Sequence, residues 1–152
     1  MSAPLGLWLE ALGLRAGIPV LLRALPLDRV LTLLSLPART PGPPGAARPA
    51  LSESATRERL RRIELLTDRI TRRMRLTRSA CLKRALLRYA LLRREGLGAG
   101  FVIGVRPAES SHDGFEAHAW VCLDQAPVME HEPPSYRPTF VWPPAHGSRR
   151  AA

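Results

Sequence analysis

A cysteine becomes a useful nucleophile when its thiolate is stabilised. The first turn of a helix does this with unpaired amide hydrogens and the positive end of the helix dipole. Cys81 falls in such a place: a helical pattern opens near Ser79, a residue type suited to accept free amide hydrogens, and Arg78 adds positive charge. Further along, His118 sits inside Phe115-Glu116-Ala117-His118-Ala119-Trp120-Val121, a strand-like run and not a loop. Alternation puts Ala117, Ala119, Val121 and Leu123 on one face and His118, Trp120 and Cys122 on the other, where the indole can shield the imidazole. Taken singly, a lone cysteine is ordinarily a small core residue and a lone histidine structural or solvated. Together, a thiol at a helix start and an imidazole on a following sheet are the parts of a cysteine nucleophile served by a general base. Cys122 is a poorer nucleophile candidate, because four strand residues separate it from His118 by about 13 Å, so it is read as packing.

A third group is needed to fix the imidazole tautomer, and Asp124 and Glu130 are the candidates. Asp124 stands beside Gln125 in an expected turn, where acidic residues are common for reasons of turn geometry alone. Glu130 ends the short run Pro127-Val128-Met129, expected to pair antiparallel with the histidine strand, and is preferred for that reason. The remaining reading of these side chains is a metal site. The set Cys81, His112, His118, Cys122, His131 and His146 contains no close Cys-x-x-Cys or His-x-x-x-His pair, so neither metal nor cofactor is expected.

These groups must be positioned by a chain of 152 residues, enough for one modest domain with its own core. Residues 1–36 are leucine-rich and read as short helices from Pro4 to about Leu14 and from Val20 to Leu36, broken or kinked at Pro26. Glu10, Arg15, Arg23, Asp28 and Arg29 interrupt the apolar run, and no basic residue precedes it, so neither a membrane span nor a secretory signal is expected. Residues 37–50 hold five prolines and two glycines without a hydrophobic period and read as a linker. In the core, residues 51–145, Leu60, Ile63, Leu66, Ile70 and Met74 recur at helical spacing and predict a helix from about Ser54 to Arg75. A second helix runs from Ser79 to Arg94, with Leu82, Ala85, Leu86, Tyr89 and Ala90 on its buried face and Gly96 as its stop. Phe101–Val105, Ala117–Leu123 and Pro127–Glu130 then read as strands, which makes the class α+β: a nucleophile helix packed on a small antiparallel sheet. Tyr136 and Trp142 are expected to cap that sheet, and residues 146–152 form a disordered tail.

The formal net charge of +10 invites a nucleic-acid reading. More than half of the basic residues lie between Arg57 and Arg94 on helical sequence, interleaved with Glu58, Glu64 and Asp68 and with few aromatic residues, so solvated helix faces are preferred. The two cysteines are too few for a disulfide framework, and reduced thiols in a cytoplasm are expected.

Five segments in series carry a resemblance: Ala80-Cys81-Leu82-Lys83-Arg84-Ala85-Leu86-Leu87-Arg88-Tyr89, Arg93-Arg94-Glu95-Gly96, Val102-Ile103-Gly104-Val105, Ala117-His118-Ala119-Trp120-Val121 and Pro127-Val128-Met129-Glu130. In order and spacing over roughly residues 55 to 140, the chain resembles the lasso peptide leader peptidases, which are transglutaminase-like in fold and remove the leader from a ribosomally made precursor. The resemblance implies a nucleophile at Cys81, a base at His118 and the acidic third member at Glu130, a position often held by aspartate in relatives. It also implies the standalone form, with a precursor peptide as substrate, a separate small leader-recognition protein as partner and a lasso cyclase downstream. The rival readings are an acyl transferase on the same residues and a non-enzymatic basic nucleic-acid-binding protein.

Overall fold

The structure, a computed structural model, describes residues 5–36, 52–72, 79–108, 114–130 and 135–143. In chain order these form α1 (Leu5–Ala24), α2 (Leu27–Ser35), α3 (Glu53–Thr71), α4 (Ala80–Arg94), β1 (Ala99–Pro107), β2 (Phe115–Leu123), β3 (Ala126–Val128) and β4 (Arg137–Trp142). The segment 37–50 read as a linker, the tail 146–152, and His112, His131 and His146 all lie outside the described residues.

Helix α4 organises the rest. Every residue from Ala85 to Leu92 is buried, which a helix achieves only when it is covered on all sides. α1, α2 and α3 pack on it from one side and β1 and β2 from the other. Leu86, Leu91 and Leu92 join Leu31 of α2, Ile63 of α3, Phe101 of β1 and Val121 of β2 in one core. The α3 stripe is as expected at Ile63, Leu66 and Ile70. Ser52 caps that helix, its hydroxyl accepting from the Ala55 amide at 3.3 Å.

The N-terminal helices differ from expectation. α1 runs unbroken through Arg15–Pro19, because Pro19 removes one amide donor while Ile18, Leu21 and Leu22 on either side pack into the core. The break comes at Pro26, extended at φ −65° and ψ 154°, which starts α2. By length and composition alone α1 could cross a membrane. Its inward face of Leu7, Ala11 and Ile18 is nonetheless buried in the domain core, and Leu5, Leu9, Leu12 and Val20 form an exposed stripe on the other side.

The strands form one antiparallel sheet in the order β3-β2-β1-β4. Three strands were expected, and β4 is additional: Phe101, Val102 and Ile103 pair with Trp142, Val141 and Phe140. Asp124 and Gln125 close the β2–β3 hairpin with positive φ at both positions (47° and 68°), the two-residue turn whose twist matches the strands. The class is therefore α+β, as the sequence predicts.

Candidate active site

Cys81 occupies the first turn of α4, partly exposed, with its thiol hydrogen-bonded to the His118 ring and contacted by the backbone amides of Ala119 and Leu82. Ser79 takes the N-cap position, but its side chain accepts no hydrogen bond, contrary to expectation. Leu82 thus directs a first-turn amide at the sulfur. The His118 bond, reinforced by the charge of the imidazolium and by both amides, pulls the thiol below its usual range, outweighing the burial that would raise it.

His118 reaches this thiol from β2 and meets Glu130 with its other edge, Nε2 to Oε2 at 3.1 Å. Since Nε2 is taken, Nδ1 is the nitrogen left for the sulfur. Hydrogen bonds to Cys81 and then to Glu130, with both negative charges adding, raise the imidazole to about 9 in spite of burial. The two shifts belong to one coupled pair and point the same way, favouring the proton on the imidazole over the thiol.

The ring lies beside two aromatic neighbours. Trp120 stacks on it at 6.0 Å between centroids and 16° between planes, and Tyr136 lies at 5.3 Å and 32°. This stack rests on Gly104 of β1, where a Cβ would fall 2.7 Å from Trp120 Cη2 and 2.9 Å from Tyr136 Cβ. Tyr136 packs on the sheet residues Val102, Trp120 and Cys122, and beyond the expected capping it also meets the His118 ring. Trp142 packs against the core. Tyr136 in turn is covered by the Arg106 guanidinium at 4.7 Å, and Arg106 is paired to Glu116 at 2.6 Å.

Glu130 is delivered by the chain just past β3, where Met129 adopts φ +61°. Asp124 lies instead in the exposed hairpin turn, beyond the Leu123–Ala126 pair. Cys122 is buried with Val102, Trp120 and Tyr136, and burial raises its thiol, the opposite direction to Cys81. Among the described residues no group of three or more His, Cys, Asp or Glu is placed to hold a metal ion.

Sequence reasoning missed one further residue. Arg88, counted among the solvated arginines, has a side chain only 3% exposed, paired with Glu130 at 3.2 Å and with Asp68 of α3 at 3.0 Å. The signal was present, for Arg88 interrupts the apolar run Ala85-Leu86-Leu87 and Tyr89-Ala90 on a helix with no free side; its partners, 20 and 42 residues away, were not deducible.

The arrangement supports attack by a thiolate on an electrophilic carbonyl, with the imidazolium ready to protonate a leaving group. Compared with known proteins, residues 20–141 match the family model described as the transglutaminase-like superfamily. No curated protein and no solved structure gives a match.

Proposed function

The chain belongs to the transglutaminase-like superfamily, and from that premise we propose that it is a cysteine peptidase that removes the leader from a lasso-type precursor peptide. The observation that carries the reading is the alignment of Cys81, His118 and Glu130, with the nucleophile at a helix start and each imidazole edge occupied. The five-segment resemblance supports the substrate class. In this reaction the Cys81 sulfur bonds to the carbonyl carbon at the leader–core junction while first-turn amides of α4 face the developing oxyanion. His118 gives its proton to the departing amine as the C–N bond breaks, leaving a thioester. It then takes a proton from water, whose oxygen displaces Cys81 and releases the acid.

A separate small recognition protein presents the leader, a cyclase consumes the product, and the reaction belongs in the cytoplasm. The exposed stripe Leu5, Leu9, Leu12 and Val20 is the surface offered to that recognition protein. Because α1 and α2 also supply Leu7, Ile18, Val30 and Leu31 to the core, deleting residues 1–36 would unfold the domain. Leu9→Glu on the outer stripe is the cleaner variant, expected to abolish leader-dependent cleavage with the fold intact.

The test is mass spectrometry of a lasso-type precursor incubated with the recognition protein and wild type, Cys81→Ala or Glu130→Gln. The wild type should cut at the leader boundary, Cys81→Ala should not, and Glu130→Gln should be slowed about 100-fold. Cleavage that survives Cys81→Ala sinks the reading. A product heavier by an added amine assigns acyl transfer to the same thioester.

A further inference from the structure

A buried guanidinium is expensive to desolvate and is weak evidence of stabilisation for its own sake. Arg88 nonetheless spends all three of its nitrogens on named acceptors. Nη1 donates to the Met129 carbonyl at 2.6 Å and to Glu130 Oε1 at 3.2 Å, Nη2 donates to Asp68 Oδ1 at 3.0 Å, and Nε donates to Thr67 Oγ1 at 3.4 Å. Arg84, on the same helix, is the one other charged side chain acting on it strongly among the described residues.

We propose that Arg88 is a positioning residue for the active site, fixing the Met129 carbonyl and one oxygen of Glu130 so that the other oxygen meets His118 Nε2. Two difficulties in using a glutamate at this place are answered by the same fork. Glutamate has one more rotatable bond than aspartate, so an unrestrained carboxylate would spend much of its time away from the imidazole. The chain that delivers it also passes through a left-handed residue, Met129 at φ +61°, a conformation unfavourable for any side chain but glycine. Arg88 holds two acceptors just beyond that torsion, the carbonyl of Met129 itself and the carboxylate of the next residue, while Asp68 and Thr67 hold the guanidinium in turn. A planar guanidinium supplies this geometry, and an ammonium does not.

This inference deepens the proposed function, yet its test needs no substrate and can fail while that reading stands. The His118 imidazole is followed by NMR titration of protein labelled with ¹⁵N-histidine, in wild type, Arg88→Lys, Arg88→Met, Glu130→Gln and the Arg88→Met/Glu130→Gln double variant. The groups facing the imidazole are Cys81 from α4, Glu130 from beyond β3, Trp120 from β2 and Tyr136 from before β4. The wild-type step is expected near 9. Positioning predicts that Arg88→Met loses the Nε2 contact and lowers the step by about one pH unit. Arg88→Lys, with charge but no fork, should lower it too, and the double variant should match Glu130→Gln alone. If Arg88 were only a neighbouring cation, its removal would relieve repulsion and raise the step, while Arg88→Lys would leave it unchanged. A rise, an unchanged step, or independent effects in the double variant overturn the proposal. Should Arg88→Met fail to give a folded spectrum, the fall or constancy of the step in Arg88→Lys decides alone.

Discussion

The two oxygens of Glu130 face different residues, Oε2 the imidazole and Oε1 the Arg88 guanidinium. That division sets the expected pH dependence of any Cys81 chemistry. Cys81 is lowered from its usual range, so activity appears as pH rises through the displaced thiol and the thiolate forms. His118 is raised to about 9, so activity falls as pH rises through that value and the leaving group loses its acid. A bell-shaped kcat/KM profile with its alkaline limb near 9 is therefore expected. Glu130→Gln removes the carboxylate that holds the proton on the imidazole, and its alkaline limb should move to lower pH. An alkaline limb unmoved by that change would show that Glu130 does not act on His118. At this scale the sequence was informative wherever a local rule applies. Alternation placed His118 and Trp120 on one face, and helix-start chemistry marked Cys81. It was silent wherever the partner is distant, as with Arg88 and Asp68, since nothing in a helix reveals which remote acceptor a buried cation meets.

Among the elements, β1 and β4 do more for the site than their chemistry suggests. Neither contributes a reacting group, yet Gly104 of β1 leaves the space into which Trp120 and Tyr136 pack, and Tyr136 immediately precedes β4. Gly104→Val should force those rings away from His118. It should cost about 1–3 kcal/mol in a urea titration and reduce the rate at which iodoacetamide alkylates Cys81. Full retention of both would show that the aromatic stack is ornamental. β4 was missed in the sequence because Arg137-Pro138-Thr139-Phe140-Val141-Trp142 has a proline near its start, a residue that demotes a strand reading. The structure accommodates it because β4 is an edge strand and its register shifts between Ile103 and Gly104.

Over the whole molecule, the division into a leucine-rich N-terminal segment and a separate core follows the sequence's punctuation, and the packing runs across it. A proline- and glycine-rich stretch marks a gap in hydrophobic periodicity, and periodicity carries no information about which helices share a core. Leu31 of α2 is fully buried in the same core as residues of α4, which α4 in turn shares with the sheet. Leu31→Ala should therefore destabilise the entire domain by about 2–5 kcal/mol. Urea transitions followed by far-UV circular dichroism and by alkylation of Cys81 should shift together. Two separated transitions would instead mark residues 1–36 as an independent unit. Helix α4 also fixes a distance that loops cannot: Cys81 and Arg88 lie seven residues apart on one rod, about 10 Å along its axis. Inserting a single residue between them would swing Arg88 by about 100° around the helix and off Glu130, with Cys81 left where it is. The number of residues in this stretch is therefore fixed by the pair it must place, one at the thiol and one at the carboxylate.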